Sequence, residues 1–319
     1  MERMLPSTLL TAYAFGVGAC IGSFLNVVIA RLPAGESVVR PRSRCPTCKH
    51  PIAWYDNIPL LSYALLCGRC RHCRQTIQAR YFLVELAVGC LFAAFWVRFG
   101  LSFELVVWLP LAAALMAIVF LDIDHWWIPD VIVIPAMVLT FAAAWLPGRL
   151  SPVVALLGLL PALFVWGIAW IFEVVTKREG LGLGDVKLLA LLGLALGPVD
   201  GLSVLLLAAL QGSVIGVLVL LTGGHRTAAS AEPPKNPATP EAAPPSPAPT
   251  PPATPTAAPG VAVAPPAPAS ADDDDWVPPP RAIPFGPFLV LAALEVVLLP
   301  EPFADLPQQI AAALLGLLS

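Results

Sequence analysis

"GLGLGDVKLLALLG", residues 180–193, sets three alternating glycines and then Asp185 directly before an apolar run. An ionised carboxylate at the edge of hydrocarbon is costly unless it is paired or placed for a task. Long apolar stretches lie on both sides of this segment. The chain has 319 residues, 58% hydrophobic and only 12% charged, where a soluble domain carries about 25% charged residues. That balance excludes a soluble globular protein and describes an integral membrane protein.

Working outward from Asp185, apolar runs able to cross a hydrocarbon core of about 30 Å occur at 8–29, 82–98, 104–121, 131–146, 152–173, 186–198, 203–222 and 284–299. The sixth is short and contains glycine. The first run has its basic residue, Arg31, after it and no small-residue cleavage site, so it is expected to stay as an anchor. Placing residues 30–81 in the cytoplasm puts 15 of the 18 Lys and Arg residues inside, leaving Arg3, Arg98 and Arg149 outside. The expected fold is an all-α polytopic membrane protein with about eight transmembrane helices and a small cytoplasmic four-cysteine zinc subdomain. Its expected parts are a first span at 1–30, a zinc-binding loop at 31–81, a transmembrane core at 82–222, an insertion at 223–282, and a last span with its tail at 283–319.

The insertion is a different material. Eighteen of the chain's 36 prolines lie between residues 231 and 280, a stretch that also holds Asp272 to Asp275. Such a composition cannot bury a core and reads as a disordered, partly polyproline-like cytoplasmic segment. Beyond it, Glu295 stands alone in an apolar run with no assignment from sequence.

The loop after the first span contains "CPTC" and "CRHC", pairing Cys45 with Cys48 and Cys70 with Cys73, with 21 residues between the pairs. Four thiolates in two such knuckles suit a closed, structural zinc site, and a reducing compartment disfavours disulfides. Cys67 also stands three residues before Cys70, but it follows "YALL" and is expected to pack as a small apolar residue. His50 and His72 are the alternative ligands. Cys20 and Cys90 fall within spans and are expected to be inert.

A second acid cluster, "FLDIDHWWIPD" at 120–130, follows the third span and places Asp122 and Asp124 at the same membrane edge as Asp185. Two carboxylates brought together share a proton, one acting as base on water and the other as acid. A nucleotide-binding reading of "GLGLGD" fails, because no strand precedes it and membrane spans surround it. The residues alone leave three readings open: an aspartic protease, a proton- or ion-coupled transporter, and ordinary interfacial charges.

Taken together, "GSFLNVVIARLP" at 22–33, "CPTC", "CRHC", "WYDNIPLLSY" at 54–63, "RYFLVE" at 80–85, "LDIDHWWIPD" at 121–130, the "GLGLGD" segment and "IPFGPF" at 283–288 resemble the type IV prepilin peptidase family, membrane aspartic proteases with a GxGD signature. The resemblance implies a bacterial inner-membrane enzyme with its site on the cytoplasmic side. It implies cleavage of the basic leader from type IV prepilins or type II secretion pseudopilins, and N-methylation of the new terminus from S-adenosylmethionine. Residues 82–222 would then be the peptidase core. The catalytic aspartates carry over to Asp122 and Asp185. Asp122 is preferred to Asp124 because it stands seven residues before Pro129. Lys187 matches the family's Asp-x-Lys, and His125 gains no role. The basic loop resembles the region that marks enzymes that also methylate, but it names no cofactor-binding residues. Expected partners are the prepilin substrates and membrane lipid, with no nucleic acid. Glu36, Asp56 and Glu85 are the acids offered to a basic leader. The long loop before "IPFGPF" departs from the family's short one.

Overall fold

The computed structural model describes residues 4–45, 47–177, 182–221 and 283–299. Gly180, the proline-rich segment expected at 223–282 and the tail beyond residue 299 lie outside them. The chain divides into two units, Met1–Val217 with Ile283–Ser319, and Leu218–Ala282. Only Leu218–Leu221, the last turn of a helix, are described in the second unit.

The described residues contain helices and no β-strand. Their order is α1 (Met4–Arg31), α2 (Leu61–Leu65), α3 (Ala79–Phe99), α4 (Phe103–His125), α5 (Asp130–Ala142), α6 (Pro152–Leu157), α7 (Leu160–Thr176), α8 (Leu183–Leu196), α9 (Pro198–Leu221) and α10 (Gly286–Leu298). Five helical stretches are long and apolar enough to cross a membrane: Ser7–Arg31, Ala79–Phe99, Phe103–His125, Pro152–Thr176 and Pro198–Leu221. The three other expected spans correspond to shorter helices, at Asp130–Trp145, Leu183–Leu196 and Gly286–Leu298. At 1.5 Å of rise per residue a 14-residue helix reaches about 21 Å, so α8 is packed inside the bundle rather than being a full-length span.

Local chemistry sets the helix ends. The Ser102 hydroxyl caps α4 by accepting the Leu105 N–H, and Glu104 sits in its first turn, where the helix dipole favours an acid. Trp126 ends α4 in the left-handed region, φ 54°, donating its N–H to the Asp122 carbonyl at 3.0 Å. Gly197, at φ 89°, separates α8 from Pro198, the first residue of α9, a turn that glycine makes without a Cβ penalty.

Close backbone approach holds the bundle together. A Cβ on Gly18 or Gly22 of α1 would fall 2.7 Å from Phe92 or from the Glu85 Cα of α3, so only this Gly-x-x-x-Gly edge admits the contact. The buried Asn26 of α1 donates to the Tyr81 carbonyl of α3 at 3.0 Å. Gly158, between α6 and α7, and Gly193 of α8 meet backbone to backbone, with no room for a side chain on either. The main core then gathers Leu115 and Ile118 of α4, Leu188 and Leu191 of α8, and Leu289 and Ala293 of α10. Glu295 of α10 accepts a hydrogen bond from the Gln211 amide of α9 at 2.6 Å, which gives the isolated acid a partner.

Candidate active site and metal centre

Asp122 lies in the last turn of α4 and is only 6% exposed. An acid can be held there because the first N–H of α10, that of Gly286, donates to its Oδ2 at 3.1 Å. Amides at a helix start have no partner within the helix and carry partial positive charge, so they suit an anion. The fit excludes a side chain at 286, since a Cβ would stand 2.5 Å from Asp122 Oδ2.

Asp185 comes to the same place from a different direction. It occupies the first turn of α8, its N–H donating to the Gly182 carbonyl at 3.1 Å. Its neighbour Gly184 and the Gly286 that binds Asp122 both lie against the same residue, Ile128. A Cβ on Gly182 would make ordinary contact with Asp185 Oδ2 at 3.7 Å, whereas Gly184 is pressed against Ile128, where a Cβ would meet the isoleucine at 3.1 Å. Ile128 also abuts Gly286. One buried isoleucine in the α4–α5 turn therefore seats both glycines and sets the α8 and α10 starts side by side. Lys187 of α8 reaches Asp130 of α5 at 2.7 Å, tying together the elements on either side of Ile128. Asp124, the alternative acid, is engaged instead by Arg80 of α3, whose guanidinium also lies over the Phe120 ring.

The sequence reading missed Gly286 as part of this site. Its signal is glycine followed by proline at a helix start within the quoted "IPFGPF". The reading also left Lys187 and Asp124 without partners.

The four predicted cysteine sulfurs also come together. Those of Cys45, Cys48, Cys70 and Cys73 lie within 4.8 Å of one another. Cys45 and Cys73 are 3.8 Å apart, the edge length, about 3.8 Å, of a tetrahedron with metal–sulfur bonds of about 2.3 Å. The two knuckles are built alike. In each, the first cysteine's N–H donates five residues ahead, Cys45 to His50 and Cys70 to Gln75. In each, the residue four positions on donates back to that cysteine's carbonyl with positive φ, Lys49 at 57° and Arg74 at 59°. A bridge closes each turn, Arg44 with Pro51 and Arg69 with Thr76. The backbone N–H of Cys48 holds the Cys45 thiol down at about 6. At Cys48 the His50 N–H favours the thiolate, yet burial and the neighbouring sulfurs outweigh it and push this thiol up to about 11. Four crowded sulfurs do not all ionise unaided, whereas a divalent cation among them reverses that balance. His50 and His72 lie against each other with tilted rings, centres 3.6 Å apart, and neither belongs to the four-sulfur group. Cys67 is an exposed turn residue with φ 49° and does not pack as expected. The next residue, Gly68, also has a positive φ, 65°, and a Cβ there would stand 2.8 Å from the Tyr63 ring.

These features define a polytopic helical membrane protein with two separate sites, a paired-acid site at helix ends and a four-thiol knuckle. Residues 17–99 match the bacterial peptidase A24 N-terminal domain, and residues 109–217 match the type IV leader peptidase family. A Myxococcus xanthus prepilin leader peptidase/N-methyltransferase is 41% identical, covering 97% of this chain and 96% of that protein. Proteins of the same description from Burkholderia pseudomallei and Pseudomonas putida are 36% and 39% identical, over 70% and 64% of this chain and 80% and 77% of theirs. No solved structure matches the chain. The chain belongs to the prepilin leader peptidase/N-methyltransferase family. The transporter alternative finds no support among these relatives.

Proposed function

We propose that the chain is a membrane aspartic endopeptidase that removes the basic leader of type IV prepilins or type II secretion pseudopilins and then N-methylates the new terminal residue. The observation that carries the peptidase reading is the seating on Ile128 of both Gly184, which precedes Asp185, and Gly286, whose N–H binds Asp122. Two carboxylates in one cleft of low dielectric hold a single proton between them. The Gly286 hydrogen bond gives Asp122 the ionised role. Asp122 then takes a proton from water, whose oxygen adds to the scissile carbonyl carbon, while Asp185 gives its proton to the carbonyl oxygen. In the collapse of the neutral gem-diol the C–N bond breaks. The leaving nitrogen takes the proton from Asp122, a diol hydroxyl returns one to Asp185, and the pair is reset. No acyl-enzyme forms and no metal enters these steps.

The distribution of basic residues supports the cytoplasmic side, since 15 of the 18 Lys and Arg fall inside when residues 30–81 are placed there. In the knuckle, Cys45, Cys48, Cys70 and Cys73 would hold a structural zinc ion as thiolates, fixing the two turns against each other. S-adenosylmethionine, when bound, supplies an electrophilic methyl group to the freed amine.

The test is cleavage of a purified prepilin in liposomes by wild type, Asp122→Asn, Asp124→Asn and Asp185→Asn, with thermal unfolding recorded for each and mass analysis of the product. Asp122→Asn and Asp185→Asn are expected to lose cleavage by about 10²–10⁴-fold, and Asp124→Asn far less. Cleavage surviving in both dyad variants would return these acids to structural roles. A 14 Da gain on the wild-type product, one methyl replacing a hydrogen, reports the second activity.

A further inference from the structure

The acid pair accounts for cleavage but offers nothing to hold a methyl donor. A cavity of about 320 Å³ lies elsewhere, between α1, the start of α3 and the four-cysteine loop. That is the lower end of the range for small-molecule sites. All its lining residues fall between Ser23 and Glu85, inside the N-terminal matched domain at 17–99 and outside the domain with the aspartates. On its wall, Glu85 accepts the Leu60 N–H at 2.8 Å and a hydrogen bond from Ser23. Glu85 is rigidly placed, because the Gly22 backbone of α1 rests on its Cα. Two hydrogen bonds leave a carboxylate with acceptor capacity to spare. Arg31, Arg69, Tyr63 and Phe82 also line the cavity, and the Tyr63 and Phe82 ring centres are 5.3 Å apart.

We propose that this cavity binds S-adenosylmethionine, with Glu85 as the residue that holds its cationic methionyl end. This rests on the methyltransferase half of the function proposed above. The ligand is amphoteric: its ammonium and sulfonium call for an acid, its carboxylate for a guanidinium, and its adenine for flat apolar walls. One cavity is lined by residues of all three kinds. A leader rich in positive charge matches it less well, because arginines share the wall with the acid.

Position supports the assignment. Asn26, Ala30 and Tyr81 line this cavity and also a crevice of about 90 Å³ that reaches Arg80, Asp124 and His125. The end of that crevice is two residues from Asp122. The cavity and the crevice thus share a wall, and the crevice reaches the last turn of α4, the turn that also carries Asp122.

The test is equilibrium binding of labelled S-adenosylmethionine to the full chain in nanodiscs, for wild type and Glu85→Gln, with zinc content and melting temperature confirming the fold. Glutamine can still accept the Leu60 N–H, so the expected change is a loss of affinity of about tenfold or more. Ultraviolet cross-linking of the label to wild type, mapped by mass spectrometry, is independent of any variant and is expected to mark residues within 23–85. Unchanged affinity in Glu85→Gln, or a cross-link outside 17–99, overturns the site while leaving the methyltransferase reading intact. No binding by wild type, together with no methyl on the cleaved product, removes that reading and the site with it. Loss of affinity for a basic leader peptide in Glu85→Gln, with S-adenosylmethionine binding unchanged, reassigns the cavity to the leader and also overturns the proposal.

Discussion

The knuckle and the acid pair are both built from backbone N–H groups aimed at potential anions, but they are assembled on very different scales. The knuckle uses two copies of one local turn, and the backbone hydrogen bonds that shape each copy span four to nine residues. The acid site draws on α4, α8 and α10, and its defining hydrogen bond joins residues 164 positions apart. A local site depends on its ligand to lock it. A long-range site depends on the packing of the bundle and needs no ligand to keep its shape.

The sharpest way to break this contrast is to remove the metal. Cys73→Ser, or a strong chelator, is expected to release zinc, whose binding is worth about 10–16 kcal/mol in small zinc-folded peptides, and to expose residues 40–78 to limited proteolysis. The helical content of the bundle should persist in circular dichroism. Bundle and loop melting together would show that the acid site also leans on the metal.

Next in size is the contact between α10 and α4. Gly286→Ala should lower prepilin cleavage by about tenfold to a hundredfold, since its Cβ would displace Asp122 or the α10 start. Gly16→Ala, with open space at the same test, should cleave normally. Equal rates for the two would separate the Gly286 hydrogen bond from catalysis.

Packing under the site comes third. Gly158→Ala forces apart two backbones in contact, and overpacking of this kind costs about 1–3 kcal/mol. A lowered melting temperature with zinc content unchanged is the expected result. The smallest effect belongs to the exposed pair of Lys187 and Asp130, worth about 0–1 kcal/mol. Lys187→Met should shift stability within that range, and high salt should erase the difference.

The loop has its own weak pH signature. Arg71 grips Asp56 through two nitrogens at 2.6 to 3.1 Å, and this holds the Asp56 carboxyl below its ordinary range. A lowered folded value means that the contribution is complete above the unfolded value of about 3.9 and disappears as pH falls through the folded one. Asp56→Asn should remove that acid-side dependence from loop unfolding without altering it near neutrality.

How much of each region was legible from sequence follows the same division of scale. The two Cys-x-x-Cys pairs announced the knuckle because its ligands and its turns lie within single short segments. Choosing Cys70 with Cys73 over Cys67 needed only the likeness of "CRHC" to "CPTC", and the repeated turn shows why that likeness exists. The pairing of Asp122 with Asp185 was different. Spacing and charge left a transporter and ordinary interfacial acids open, and only the combined motifs of a family narrowed the choice. Gly286 went unread because its meaning depends on a carboxylate far away in the chain. The eight apolar runs all proved helical, and the sixth was already legible as short, yet hydropathy did not show that α5 and α10 are short as well.

The Gly-x-x-x-Gly edge of α1 bears on how such a chain is remodelled over time. Gly18 and Gly22 dock α1 on α3, and Asn26 fastens to Tyr81 just where the four-cysteine loop begins and ends. The exit and re-entry points of the loop are thus held together by the hairpin itself, whatever lies between them. A segment mounted on a fixed pair of posts can be enlarged, shortened or exchanged at small entropic cost, so the N-terminal region is a socket into which a second activity can be fitted or from which it can be lost, with the hydrolytic half of the molecule left undisturbed.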